Sequence, residues 1–343
     1  TCGPTRPPQL HASLIAKLRL RFAALQALAF SFPPIQHTPG GAGGRQRNVA
    51  WVSDTHGELT VFDASTFCVQ ASVKLCTMVT CMQPHNGAMW VGCLNGLHLF
   101  DGEAFRYLLT LDSLPTLCLL HMSGGLTAVG NSEGLMIMRV EGLVGHTALM
   151  SYKLKRGVSN LCEAISGKEL WATGSLCFLV FSLETFSLVE TVPTKMKLTW
   201  MIKVGEDVWA ATHCGEIIIW DVKQRSIRTS WSAHKQKIYH MLCFGSYVLS
   251  ASAENCIRVW NAATCEMVCE IEGFMQDGVR QAAIVGDHGD EYFDLWGLTQ
   301  DHSVNVWKIH KDFHAIQPIR TAAEEQPRAG STNAGGKQRT DRP

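Results

Sequence analysis

The chain has 343 residues, 46% of them hydrophobic and 17% charged, and its 30 basic and 30 acidic side chains give a formal net charge of zero. The charge is uneven: residues 1–50 hold six Lys or Arg and no acid, and residues 311–343 hold six against four, which leaves 18 basic and 26 acidic residues, net minus eight, in 51–310. A body that acidic argues against a phosphate backbone as the main ligand, because such binding needs clustered Lys and Arg, and no run of about 18 apolar residues is present to span a membrane.

Residues 1–9 are Pro-rich. Residues 11–32, HASLIAKLRLRFAALQALAFSF, are apolar and carry Lys17, Arg19 and Arg21 but no acid. An organelle import presequence has this composition. The competing reading makes Leu18 and Leu20, alternating with Arg19 and Arg21, an outer strand, and residues 27–32 the inner strand of a first repeat. It is preferred because that repeat otherwise lacks an inner strand. Residues 33–48, rich in Pro and Gly, read as a loop. The chain starts at Thr1 and not at Met, as a fragment or a gene model that has lost its start would.

From Val49 onward one pattern recurs. Residues 247–261, YVLSASAENCIRVWN, read as two short strands joined by a tight turn at Glu254 and Asn255. Leu249 stands eleven residues before Trp260, and the same interval separates Trp51 from Phe62, Trp209 from Trp220 and Trp296 from Trp307; it is ten residues from Trp90 to Phe100 and from Trp171 to Phe181, and a degenerate copy runs over 126–138. The seven closing positions, Phe62, Phe100, Met138, Phe181, Trp220, Trp260 and Trp307, are 38, 38, 43, 39, 40 and 47 residues apart. An apolar run precedes each pair, as in residues 116–120, 159–165, 198–204 and 237–244, and a half-polar alternating run follows it, as in 67–75, 105–111, 186–192, 226–231 and 265–271. Apolar inner strands, half-polar outer strands and a period near forty are the signature of four-stranded propeller blades.

These residues resemble the WD-repeat β-propellers. Trp220-Asp221 is the family dipeptide, Phe62-Asp63 and Phe100-Asp101 are aromatic variants, Trp260-Asn261 is a near match, and Gly145-His146 looks like the Gly-His pair that opens a repeat. The resemblance implies an all-β, seven-bladed propeller of four-stranded antiparallel blades over residues 49–316. It would follow a basic segment at 1–48 that supplies strands of the first blade, and precede a polar, disordered tail at 317–343. Ring closure would pair the last blade with residues 14–21 or with residues 311–316. The resemblance also implies a structural hydrogen-bond chain through Glu254, His234, Ser250 and Trp260 in blade six. Blade seven keeps Asp301 and Trp307 but has Gly297 at the Ser position.

The remaining chemistry is sparse. The 13 cysteines include no CxxC pair, the nearest approaches being Cys76 to Cys81 and Cys265 to Cys269, and are expected to be reduced packing residues of a cytoplasmic protein. His56, His98, His213 and His302 fall in or near turns of different blades and are read as turn residues, not as a metal site. Asp287, Asp290, Glu291 and Asp294, in an insertion at 286–294, could offer oxygen ligands but lack EF-hand spacing. No phosphate-binding glycine loop is found, so neither cofactor nor metal is expected. Tyr107, Trp231, Tyr239 and Phe274 are candidate anchors for a protein partner. The function expected is a non-catalytic scaffold that presents a rigid rim and central opening to proteins or peptides. The alternative is the accessory propeller of a larger signalling protein, such as a DENN-type guanine-nucleotide exchange factor, an inositol-polyphosphate phosphatase or a kinase, with its catalytic part outside this chain.

Overall fold

The computed structural model describes residues 49–310 except 76, 143–144, 155–156, 255, 273–277, 288–291 and 300–302, together with the backbone of three earlier strands, Gln9–His11, Ser13–Arg19 and Leu25–Ser31. These strands form seven antiparallel sheets, each with four strands in radial order. The innermost strands are Leu25–Ser31, Val79–His85, Thr116–Met122, Leu161–Ile165, Leu198–Val204, Ile238–Phe244 and Val279–Asp287, for blades one to seven. Each touches the next, and the seventh touches the first, so the sheets close into a ring. The fold is a seven-bladed β-propeller.

The recurrent strand pair of the sequence is the second and third strand of every blade, as in Tyr247–Ser252 with Ile257–Asn261. Closure joins opposite ends of the chain. Ser13–Arg19 pairs antiparallel with Ser303–His310 as the outer strand of blade seven, while Leu25–Ser31 pairs with Val49–Asp54 inside blade one. The strand Gln9–His11 adds a parallel fifth strand to blade six, along Met267–Glu272. Residues 311–343, which include the proposed tail and the second candidate for closure, lie outside the described residues.

A blade is apolar on both faces, so the core is divided into seven layers, one between each pair of neighbours. Trp51 and Leu59 meet Val91 and Phe100 between blades one and two, and Ala50 and Phe62 meet Trp296 and Val306 where blade seven meets blade one. The second-strand tryptophans Trp51, Trp90, Trp171, Trp209 and Trp296 are all essentially inaccessible to solvent. Large rings on these strands fill the space between neighbouring blades.

The hairpin between third and outer strands shows what the acid of the family dipeptide does. Asp63 Oδ1 accepts the N–H groups of Ser65 and Thr66, and Asp101 Oδ1 those of Glu103 and Ala104. Asn261 Oδ1 does the same for Ala263 and Thr264. The residue four after this Asp, Asn or Ser then turns back with a positive φ: Phe67 at 60°, Phe105 at 55°, Phe186 at 51°, Arg225 at 50° and Cys265 at 62°. A bulky residue there is strained, and packing offsets the strain. Phe105 lies edge-on to Trp51 of the preceding blade at 5.7 Å, Phe67 lies 5.7 Å from Trp296, and Arg225 bridges Glu169 and Glu190 of blade four at 2.7 Å each.

Side chains of the inner strands also tie blade to blade. Thr199 Oγ1 donates to the Ile238 carbonyl at 2.7 Å, Asn160 Oδ1 accepts the Met201 N–H at 3.1 Å, and Gln83 Oε1 accepts the His121 N–H at 3.2 Å. One sequence expectation is corrected. Gly145-His146 opens the outer strand of blade three, Gly145–Lys153, and not the link into the next blade, because that outer strand runs to nine residues where those of the other blades have six or seven. Part of the insertion at 286–294 lengthens two strands of blade seven, Val279–Asp287 and Tyr292–Thr299; residues 288–291 lie outside the described residues.

Candidate functional site

The densest polar cluster lies in blade six. His234 sits in the link from blade five, Ser250 on the second strand, Glu254 in the following turn and Trp260 on the third strand. His234 Nδ1 lies 3.1 Å from Glu254 Oε2 and Nε2 lies 2.7 Å from Ser250 Oγ, which also accepts the Trp260 Nε1 hydrogen at 2.9 Å. A carboxylate only accepts, so the imidazole carries its proton on Nδ1 and the Ser250 hydroxyl donates to Nε2. Burial, and then the Arg258 guanidinium, pull the His234 pKa down to about 4 against the attraction of Glu254. Burial acts to raise Glu254, but the Lys235 N–H, His234 and Arg258 outweigh it and hold the carboxyl below its usual range.

Acid, imidazole and hydroxyl in line have the order of a hydrolytic triad, but they lack access to substrate. Ser250 is fully buried, His234 is 1% exposed, and the serine oxygen is engaged by the indole of Trp260. A nucleophile must reach its substrate, so this cluster is a strut. Two members escaped the sequence reading: Arg258 donates from Nε to Glu270 at 2.8 Å and from Nη1 to the Ala233 carbonyl. Their cross-strand register, Arg258 opposite Glu270, was the available signal. His234, Glu254 and Cys256 place three ligand-type atoms within 4.8 Å of one another, but His234 and Glu254 already satisfy each other there.

The candidate partner residues do not converge. Tyr107 stands on the outer strand of blade two, 52% exposed, with its hydroxyl 2.8 Å from Thr110 Oγ1. Trp231, on the outer strand of blade five, is half-buried between Trp209 and Trp260 at 5.5 and 5.4 Å, where it packs two blades together. Tyr239 is half-buried on the inner strand of blade six, with Lys237 Nζ 4.6 Å above its ring. Phe274 lies outside the described residues. The turn histidines are equally dispersed: His98 is a buried third-strand residue held by Thr110 and Asn95 at 2.9 Å each, the His213 ring lies 3.3 Å from its neighbour Cys214, His56 is exposed, and His302 lies outside the described residues.

The eleven described cysteines are free thiols; Cys2 and Cys76 lie outside. Burial pushes Cys81, Cys93, Cys162, Cys256 and Cys269 up to about 12, which leaves them inert as nucleophiles.

Along the axis of the ring the inner strands of blades two to seven wall a channel, a cavity of about 900 Å³. Its lining mixes apolar side chains, such as Met82, Leu119 and Met201, with Gln83, Glu163, Lys203, His240 and Arg280. Glu163 is spent on structure, since it accepts the Ser123 hydroxyl and the N–H groups of Ser123 and Gly167. Among the described residues no helix is long and apolar enough to cross a membrane.

No protein-family model matches the chain. Two curated proteins are similar over part of their length. ASTRA-associated protein 1 of Candida tropicalis is 27% identical over 114 residues, 33% of this chain and 30% of that protein, and ASTRA-associated protein 1 of Lodderomyces elongisporus is 23% identical over 130 residues, 38% and 30%. The chain thus matches about 30% of the length of either relative. Among solved structures, the crystal structure of the computationally designed Ika8 protein aligns with a TM-score of 0.60 at 15% identity, covering 89% of this chain and 100% of that one. At that identity the likeness bears on fold alone, and by fold the chain is a β-propeller.

Proposed function

We propose that the protein is a non-catalytic scaffold of the WD-repeat type, which offers the rim and mouth of its channel to protein partners. The observation that carries this reading is the state of the acid, imidazole and hydroxyl in blade six: the set that could have done chemistry is sealed inside the sheet and tied to Trp260. What remains open to solvent is a rigid ring with a channel at its centre, a surface suited to recognition by loops on a fixed frame. The relatives' name, "associated protein", fits a component of a protein assembly. Free, buried thiols fit a reducing compartment such as the cytoplasm.

Cross-linking mass spectrometry on the tagged, full-length endogenous protein tests this. Reproducible cross-links from partner proteins to loops at one mouth of the channel support the reading. A catalytic domain on the same polypeptide as the sole neighbour of the ring would instead make it the accessory propeller of a larger enzyme.

A further inference from the structure

Within the acidic body of the chain, three described cations gather in one sector of a channel mouth, over blades five to seven. Lys197 and Lys237 hold the same place in blades five and six, one residue ahead of the inner strands Leu198–Val204 and Ile238–Phe244, and both are exposed. Arg280 stands at the matching end of blade seven, on Val279–Asp287, and lines the channel. The three cations act on one another. Burial, then Lys197, then Arg280 draw the Lys237 ammonium below the usual lysine range.

The channel wall below these cations is short of acceptors. Trp200 and His240 occupy the same register in blades five and six, each the first residue after the inner-strand bulge, and Arg280 sits one residue earlier in blade seven. Each has a buried nitrogen with no hydrogen-bond partner: Trp200 Nε1, His240 Nδ1 and Arg280 Nε. Two of the three can only donate. The rings of Trp200 and His240 lie 4.3 Å apart, and His240 is 8% exposed with its pKa pulled down to about 4 by burial, so its imidazole is neutral. Orphaned buried donors each cost on the order of 1–3 kcal/mol and are rare enough to need an explanation. An oxyanion would bring acceptors to such nitrogens and negative charge to Arg280, Lys197 and Lys237 together.

We propose that the channel mouth over blades five to seven binds an acidic peptide, with a Glu or Asp carboxylate entering between Arg280, Lys197 and Lys237 toward Trp200 and His240. The inference rests on the scaffold reading and narrows it to one sector and one ligand chemistry. Tyr239, with Lys237 above its ring, supplies an apolar shelf for the neighbouring peptide residue.

The test uses the full chain and a fluorescein-labelled dodecapeptide of alternating Glu and Ser, read by fluorescence anisotropy. A matched Gln-Ser peptide, a phosphoserine-Gly peptide and a twelve-residue thymidine oligonucleotide run alongside. The Glu peptide is expected to bind, to weaken as salt rises, and to lose at least tenfold in affinity with the double variant Lys197→Gln, Lys237→Gln, whose sites are exposed and leave the core untouched. Arg280→Gln is expected to lose as much. Equal binding of the Gln peptide, or unchanged affinity in the double variant, overturns the proposal. Binding of the phosphoserine peptide or the oligonucleotide in preference to the Glu peptide overturns the carboxylate assignment. Partner cross-links that persist on the rim when no peptide binds would sink this inference and leave the scaffold reading standing.

Discussion

The Ser250 hydroxyl stands 2.7 Å from His234 Nε2 and accepts the Trp260 N–H at 2.9 Å, so one buried oxygen joins the link between two blades to two strands of blade six. Removing it orphans two ring nitrogens in an enclosed site. Ser250→Ala is therefore expected to destabilise the fold by about 2–4 kcal/mol. Trp260→Phe removes a donor together with its need for a partner, and should cost clearly less through this oxygen. Urea denaturation of both variants checks the order; a smaller loss for Ser250→Ala than for Trp260→Phe would contradict it.

Phe105 holds a positive φ in order to reach Trp51 of the preceding blade. Truncation to Ala keeps the backbone strain and loses the contact, with an expected cost of about 1–3 kcal/mol for this half-buried ring. Phe105→Gly loses the same contact but relaxes the backbone, so it should be more stable than Phe105→Ala by roughly 1 kcal/mol. Thermal midpoints of the three proteins decide this, and the reverse order would place the strain elsewhere.

Blade seven has Gly297 where blade six has Ser250. A Cβ at Gly297 would come within 2.5 Å of Trp307 Cζ3, because the indole lies across the position that the serine fills in blade six. Gly297→Ser should therefore destabilise the ring, by about 1–3 kcal/mol as overpacking does, and should not rebuild the polar chain. Differential scanning calorimetry reads the outcome, and a raised midpoint would show that the indole moves aside.

Among the described residues burial lowers five imidazoles: His85 and His98, His121 to about 3, with His85 stacked on it at 4.1 Å, and His234 and His240 to about 4. Each folded pKa lies below the unfolded value near 6.5, so between pH 6.5 and 4 the unfolded chain binds protons that the folded chain refuses. Stability is then fully present above pH 6.5 and falls as the pH drops toward 4. Denaturation midpoints taken at steps across this range should decline continuously, and the decline should be shallower in His240→Phe. A midpoint flat from pH 7 to 4.5 would contradict the burial of neutral imidazoles.

Ring closure predicts a polar effect along the chain. Deleting residues 1–19 removes the strand that covers Ser303–His310 and leaves blade seven with an open edge. Such edges template aggregation, so the truncated protein is expected to lose thermal stability and to associate, as read by light scattering. A monodisperse truncated protein with an unchanged midpoint would show that closure lies elsewhere.

The repeat was legible because its causes are local. The eleven-residue spacing of Trp209 and Trp220 follows from two strands and one tight turn. The acids at Asp63 and Asp101 cap the hairpins next to them in sequence, so both spacing and dipeptide survive in the linear chain. The blade-six set was legible for a related reason, since four residues within 27 positions keep a fixed geometry on paired strands. Tertiary structure alone decided the rest. Only the ring brings Ser13–Arg19 beside Ser303–His310, turns Trp231 from an apparent surface anchor into a wedge between Trp209 and Trp260, and gathers Lys197, Lys237 and Arg280 from three blades around one opening. Which side chains meet across two blades has no local signature along the chain; closing the ring makes them neighbours because each wedge can bury its apolar faces only against the next.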